Sequence, residues 1–371
     1  MATSYSQNPA TNGLVLYFDT ANALKSFRGE PTVNLASNLG LYDLGTGLTY
    51  LGIEDGWKKY SMSGTWSSGT YPYSMALAGV TFTGGLSYTS VATIKTSAQH
   101  KFNTFGYSGI SYVNEPKDLD GTVSATQNPD GSYTVRRTNF AYTNTTAQLG
   151  YLYTNPVDGI TFDPATDFVF LKDFQIEQKA HPTPYVNGTR STTDGLLDMM
   201  GNYVMDATNV SYDSNAFMTF DGSSDYIDVL ESQNIIAGTQ DFAIEAAYDM
   251  RGQAGGAIFG NFGPGYTTDH VWFSGQYGIW LNGGVYAPGY PLANGKYHMV
   301  GMRKNGLMSL YLNGELVNSG DRTASIVTNI EYRIGADVGS PNEPFIGDIY
   351  MLKVYNRSLS AEEIKANFAG V

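Results

Sequence analysis

The sequence predicts an all-β protein of two antiparallel β-sandwich domains with one short C-terminal helix, and three observations carry that prediction. The first is composition: 43 Gly and 28 Tyr stand in 371 residues, with few Leu-rich stretches. Half-buried pleated strands joined by tight turns need that mixture. The second is a pair of Asn-Gly dipeptides, Asn305-Gly306 and Asn313-Gly314, eight residues apart. Each supplies the two positive φ values of a type I′ hairpin turn. The third is the regular spacing of short strand candidates between turn clusters, the pattern of sandwiches and jelly rolls. A chain of this length exceeds one ordinary sandwich and suits two domains.

Between and around the Asn-Gly pairs, the run YHMVGMRKNGLMSLYLNGELV (297–317) reads as three consecutive antiparallel strands. In its middle strand Leu307, Ser309 and Tyr311 alternate with Met308, Leu310 and Leu312. The run GDIYMLKVY (347–355) is apolar on both faces, as a strand covered on both sides must be. In SLSAEEIKANF (358–368), Ser360 with Glu363 three residues on forms a capping box, and Gly370 stands where a left-handed stop is expected. Within 31–190 the strand candidates are 49–53, 86–95, 132–138, 148–154 and 168–177, with Asn128-Pro129-Asp130-Gly131 as the clearest turn. The stretch 181–195, rich in Pro, Gly, Thr and Ser, reads as a linker.

A formal net charge of −13 repels phosphate backbones, and no Lys/Arg cluster in the sequence interrupts it, so nucleic acid is not an expected partner. There is no cysteine, which excludes disulfides, thiolate metal sites and cysteine nucleophiles. No apolar run approaches the roughly 20 residues needed to span a bilayer, so membrane insertion is not expected. The opening MATSYSQNPATNG lacks a basic segment followed by an apolar core and reads as an N-terminal arm. These features fit a protein made in a host cytoplasm that leaves inside a particle.

Three stretches resemble parts of phage virion proteins. FMTFDGSSDYIDV (217–229), GKYHMVGMRKNGLMSLYLNGELV (295–317) and IGDIYMLKVYNRSLSAEEIKANF (346–368) are similar to a laminin-G-like, concanavalin A-like jelly roll. That family usually has Trp where Tyr297 stands. NGLVLYFDTANALKSF (12–27) resembles the first strand of the same jelly roll. GEPTVNLASN (29–38), GLSYTSVATIKTS (85–97) and FLKDFQIEQKAHPTPYVNGTRS (170–191) resemble a carbohydrate-binding-module jelly roll. The resemblances imply an arm (1–11), a first strand (12–30), an inserted module (31–190) and the remainder of the outer jelly roll (191–371).

Glucanases of the concanavalin-like fold carry E-x-D-x-x-E on one strand, which sets acid and nucleophile against one sugar. No such spacing occurs here. The nearest strand, Asp241 to Glu245, has two carboxylates at even spacing and reads as a solvated edge with Phe242 and Ile244 inward. His100, His181, His270 and His298 share no H-x-H or H-E-x-x-H spacing. Calcium is the one cofactor that suits the loop carboxylates, with Asp221, Asp225 and Asp173 as candidates and Asp337 and Asp348 near later strand ends. The competing reading makes Asp221-Gly222 a turn and Asp225 a hairpin rim. Sugar rings stack on aromatic faces. Trp57, Tyr60, Trp66, Tyr71 and Tyr73 in the inserted stretch, and Trp272, Trp280, Tyr286 and Tyr290 in VWFSGQYGIWLNGGVYAPGY (271–290), are therefore the carbohydrate-binding candidates. Most aromatics in sandwiches serve the core.

The expectation is a non-enzymatic phage virion protein of the capsid-decoration or head-fibre type, present in many copies or as a homo-oligomer. Its partners are other virion proteins and host-surface glycans, held weakly and multivalently. A tail fibre or receptor-binding protein, and a polysaccharide depolymerase, are the alternatives.

Overall fold

The computed structural model describes residues 10–37, 42–43, 47–65, 74–76, 82–104, 122–141, 151–153, 155–213, 215–252, 256–261, 270–327, 330–338 and 343–370. The protein is nearly all β, with antiparallel sheets and one C-terminal α-helix. No helix among the described residues is long and apolar enough to cross a membrane. The chain forms two compact units, residues 1–31 with 191–371 (unit 1) and residues 32–190 (unit 2).

Unit 1 is a sandwich of two sheets. The larger sheet is centred on Ile346–Tyr355, Phe242–Met250 and Gly295–Lys304, and Leu307–Leu312 and Glu315–Asp321 follow as hairpins. Asn305 and Gly306 adopt φ 50 and 80°, and Asn313 and Gly314 φ 50 and 81°, the left-handed pairs that a type I′ turn demands. Leu14–Asp19 pairs with Ile346–Tyr355, as does Met218–Asp221 further along the same strand. The smaller sheet runs in the order Val204–Asn209, Tyr226–Leu230, Tyr332–Ile334, Ala257–Gly260, Trp272–Ser274, Gly278–Trp280, Gly284–Tyr286. Between the sheets lie Phe242, Ile244, Met299, Met308, Leu310, Leu352 and Val354 from one side, and Ile227, Val229, Phe259, Phe273, Ile279, Val285 and Ile334 from the other. Alternation at period two assigns each strand one inward and one outward set.

The outward face of the larger sheet is covered. The helix Ala361–Ala369 lays Ile364, with Leu359 before it, against Ala243, Ala247, Val300, Met302, Met351 and Tyr355. Its capping box is complete: the Ser360 hydroxyl accepts from the Glu363 amide, and the Glu363 carboxylate accepts from the Ser360 amide. Gly370 corrects the expected left-handed stop. It sits at φ −93°, ψ 0°, and its amide closes the helix by donating to Asn367 O and Phe368 O.

Unit 2 is built on a six-stranded sheet, in the order Thr122–Gln127, Tyr133–Ala141, Ser87–Thr96, Phe168–Glu177, Trp57–Met62, Leu48–Glu54. A three-stranded sheet joins Tyr42–Asp43, Ser74–Ala76 and Tyr151–Tyr153. Tyr60, Met62, Ala92, Ile94, Phe102, Phe162, Val169 and Leu171 form its core. The stretch 181–195 is not a loose linker. Glu177 is fully buried and accepts from Gln175 Nε2 (2.9 Å), Thr183 N (2.7 Å), Thr183 Oγ1 (2.7 Å) and Thr32 Oγ1 (2.7 Å). Arg190 donates to Thr183 Oγ1 and Pro184 O, and Thr189–Arg190 pairs with Thr32–Val33. The network satisfies a buried carboxylate. It gives a structural reason for the Q-I-E…P-T-P…T-R pattern that composition alone reads as a linker.

Candidate functional site: an aromatic row on the smaller sheet of unit 1

In the run 271–290, Phe273, Ile279 and Val285 enter the core, so Trp272, Trp280 and Tyr286 fall on the outward face. Register then lines them up. Trp272 stands opposite Trp280, Trp280 opposite Gly284, and Gly278 opposite Tyr286. The row continues through Gly260, which faces Trp272 on one side and Arg333 on the other, to Asp228 opposite Arg333. Arg333 Nε donates to Asp228 Oδ1 at 2.9 Å, and its guanidinium lies 3.7 Å from the Tyr226 ring centroid. One outward face thus carries an ion pair, a glycine gap and a group of aromatic rings.

The rings form a chain. Trp272 meets Tyr277 at 5.8 Å, Tyr277 meets Tyr290 at 6.0 Å, and Tyr290 meets Tyr286 at 4.7 Å between centroids. The backbone makes this possible by folding back after Tyr286. Ala287 N donates to Tyr277 O, Leu292 N to Gln276 O and Tyr290 N to Ala287 O, across a cis Tyr290-Pro291 bond. Gly284 is required beneath Tyr286, since a Cβ there would come within 2.1 Å of that ring. Arg322 fastens the hairpin, donating through Nε to Gly283 O and through Nη2 to Gly284 O at 2.8 Å each.

Exposure sorts the candidates. Tyr290 is 51% exposed, Trp280, Tyr286 and Tyr277 are half-buried, and Trp272 is only 9% exposed. Trp272 is therefore the floor of the shelf rather than its surface, and its indole N–H is buried without an acceptor among the described residues. Burial, then the neighbouring Tyr290, raises the Tyr286 phenol above its ordinary value, so it stays uncharged and able to donate at neutral pH. Asn282 and Asn318 are exposed at the edge, and Asn318 Nδ2 donates to Tyr286 O. Flat apolar rings bordered by amides suit the C–H face and the hydroxyls of a sugar. Tyr277 escaped the sequence reading although it lies within the same aromatic run, because only the fold-back of residues 287–292 brings it against Tyr290.

The candidates of unit 2 are placed differently. Tyr60 is a core residue at 2% exposure and packs on Tyr50 at 5.2 Å. Trp57 is 8% exposed and lies under a lysine, with Lys95 Nζ 4.3 Å from its ring centroid. Trp66, Tyr71 and Tyr73 lie outside the described residues.

The carboxylates singled out for calcium lie in different local settings. Asp225 is 2% exposed, and its oxygens accept from Ser211 N, Ser211 Oγ and Asp221 N. Asp221 Oδ1 accepts from the amides of Ser223, Ser224 and Asp225, which is turn capping. Asp173 sits in a β-bulge at φ 51°, and the nearby Asn34 side chain is committed to Phe174 O, Val186 O, Ala36 N and Ile176 N. Among the described residues no group of three or more His, Asp or Glu is arranged to hold a metal.

Glu245 corrects the reading of 241–245 as a solvated edge. Phe242–Met250 is a central strand, and Glu245 is 0% exposed beneath the C-terminal helix. Its Oε1 lies 3.1 Å from both His298 Nε2 and Lys353 Nζ, and Oε2 accepts from Asn367 Nδ2 (2.7 Å) and Tyr355 OH (3.2 Å). Phe242 and Ile244 do face the core. A carboxylate so enclosed cannot reach a glycosidic bond.

Residues 221–365 match the concanavalin A-like lectin/glucanases superfamily. They contain the whole aromatic row. A comparison with curated proteins finds no match. Among solved structures, the chain is similar to domain 4 of an extracellular arabinanase from Geobacillus stearothermophilus in complex with arabinotriose, at 18% identity and TM-score 0.34 over 48% of this chain and 92% of that one. It is also similar to the binding domain of botulinum neurotoxin serotype D, at 16% identity and TM-score 0.35, over 49% of this chain and 49% of that one. A third similar structure is the carbohydrate-binding module CBM40 of the Ruminococcus gnavus IT-sialidase bound to α2,3 sialyllactose, at 19% identity and TM-score 0.28 over 35% and 83%.

Proposed function

We propose that the chain is a non-catalytic, glycan-binding protein of a phage particle surface, which takes sugar on the Trp280–Tyr277–Tyr286–Tyr290 shelf of its concanavalin A-like domain. The observation that carries this reading is the shelf itself: the Tyr277, Tyr290 and Tyr286 rings are held in contact by a fold-back and by a glycine that leaves room for Tyr286, with Trp280 half-buried on the same outward face. The superfamily match over the same residues supports it, and the burial of Glu245 removes the nearest strand carboxylate from any hydrolytic role. The particle setting rests on the sequence resemblances over 12–27, 217–229, 295–317 and 346–368.

An open shelf offers few enclosed contacts, so a single site is expected near about 1 mM, roughly 4 kcal/mol. Many copies on one particle then raise avidity by about 10² or more. The test is binding of the purified chain to immobilised host-surface polysaccharide, compared with Tyr290→Ala. Weak retention lost in the variant at unchanged melting temperature is the expected result, and equal retention of both proteins refutes the shelf. Cryo-electron microscopy of purified particles tests the setting. Density on the capsid makes the protein a decoration or head fibre, density at the tail makes it a receptor-binding fibre, and density at neither place refutes the virion reading.

A further inference from the structure

Unit 2 presents a second surface of different chemistry. In its six-stranded sheet Tyr60, Ile94, Val169 and Leu171 point to the core, so Trp57, Lys59, Lys95, Phe168, Phe170 and Lys172 point outward. Register sets Lys59, Phe170 and Lys95 in one row across three strands. The ammonium groups rest on the rings: Lys59 Nζ is 4.0 Å from the Phe168 centroid, Lys95 Nζ is 5.2 Å from Phe170, and Lys172 Nζ is 5.8 Å from Trp57. Arg136 is exposed on the same face, one strand further, opposite Val91. Beside this lattice a cleft of about 250 Å³ is lined by Trp57, Lys95 and Phe170 together with Glu54 and Asp55.

In a chain of net charge −13, four outward cations against Glu54 and Asp55 leave a local excess of positive charge on this sheet face. Lys59 is paired to Glu54 at 2.8 Å, whereas Lys95, Lys172 and Arg136 make no ion pair among the described residues. Rings position an ammonium without neutralising it, so these charges remain available to an anion. Lys95 and Lys172 are diagonal neighbours on adjacent antiparallel strands, roughly 7–8 Å apart. That spacing suits carboxylates repeated along an extended chain better than one compact anion.

We propose that this Lys/aromatic face of unit 2 binds a carboxylated polysaccharide, with Lys95 and Lys172 meeting uronate groups and the Phe168 and Phe170 rings lying against the sugar between them. The site deepens the glycan-binding reading and is separate from the shelf of unit 1.

The experiment is affinity electrophoresis of the full chain through gels containing polygalacturonate, fully methyl-esterified polygalacturonate, or single-stranded DNA. The wild type is expected to be retarded by polygalacturonate alone, and retardation is expected to weaken as salt rises from about 50 to about 200 mM. Lys95→Gln/Lys172→Gln is expected to lower affinity about tenfold at unchanged melting temperature. Tyr286→Ala/Tyr290→Ala is expected to leave polygalacturonate binding intact while abolishing retention on the immobilised host-surface polysaccharide that tests the shelf, which separates failure of one site from failure of the other. No retardation by polygalacturonate, equal retardation by the methyl ester or by DNA, or an unaffected lysine double variant would each overturn the proposal.

Discussion

Replacing Glu245 by Gln tests how unit 1 holds its outer helix. The substitution keeps shape and most hydrogen bonds but removes the negative charge facing Lys353, which is itself 0% exposed. An ammonium left buried without its counter-charge costs about 3–5 kcal/mol. In a domain of this size each kcal/mol moves the melting temperature by about 2–4 °C, so the unit 1 transition is expected to fall by roughly 6–20 °C. Glu245→Leu/Lys353→Met removes both charges and is expected to recover most of that loss, because well-packed apolar replacements of buried pairs are often neutral. Differential scanning calorimetry of the full chain measures both. The pH dependence adds a second check. Burial alone would raise the Glu245 carboxyl, but the His298 hydrogen bond and the Lys353 charge outweigh it and hold the group at about 2, below its ordinary 4.5. A depressed folded value means the contribution is complete above about 4.5 and is lost as pH falls toward 2. The gap between wild type and Glu245→Gln is therefore expected to be constant from pH 6 upward and to close in acid. A Glu245→Gln protein melting within about 2 °C of wild type at neutral pH, or a double variant less stable than the single, would show that Glu245 does not offset a buried Lys353 charge.

Gly284→Ala is expected to abolish shelf binding while costing under about 1 kcal/mol, because its new Cβ displaces the Tyr286 ring rather than backbone; retention on the immobilised host-surface polysaccharide and thermal melting check the two halves. Ser360→Ala is expected to cost about 1 kcal/mol by removing the helix cap, read as a small fall in melting temperature. Asp337 is held at about 7 by burial and by Glu343, with Arg333 opposing. Its folded value is raised above the ordinary 3.8, so stability is expected to drop as pH climbs from about 4 to 7, and Asp337→Asn is expected to melt higher than wild type at pH 8 with little difference at pH 4.

The parts of the fold legible in the sequence are those with local physical signatures. Asn305-Gly306 and Asn313-Gly314 specify their hairpins because few other dipeptides tolerate two left-handed residues in succession. Ser360 and Glu363 mark the helix start because each satisfies the other's amide. What could not be read depends on partners distant in sequence. Glu245 looks like an edge residue until Lys353 and Asn367, more than a hundred positions away, are brought onto it. Thr183 and Arg190 look like linker until Glu177 and Thr32 close around them. Among the aromatics, the run 271–290 announced a cluster, but alternation alone could not tell the buried Trp272 from the exposed Tyr290. Trp57 carries no local sign that Lys95 covers its ring.

The location of the shelf follows from the location of the helix. A two-sheet sandwich has two outward faces, and unit 1 closes one of them: Leu359 and Ile364 seal the larger sheet, while Glu245, His298, Lys353, Tyr355 and Asn367 neutralise one another beneath it. That network fixes the helix by charge as well as by apolar contact, and it occupies the central-strand position where a carboxylate would otherwise face solvent. Among the described residues no helix covers the outward side of the smaller sheet, and that is the face proposed to take a ligand. There the same period-two alternation that sends Phe273, Ile279 and Val285 inward must send Trp272, Trp280 and Tyr286 outward. Solvation gives no reason to place large rings on an exposed face when threonine or serine would pleat as well. The ligand proposed to stack there would account for their presence beside a glycine that clears space for Tyr286.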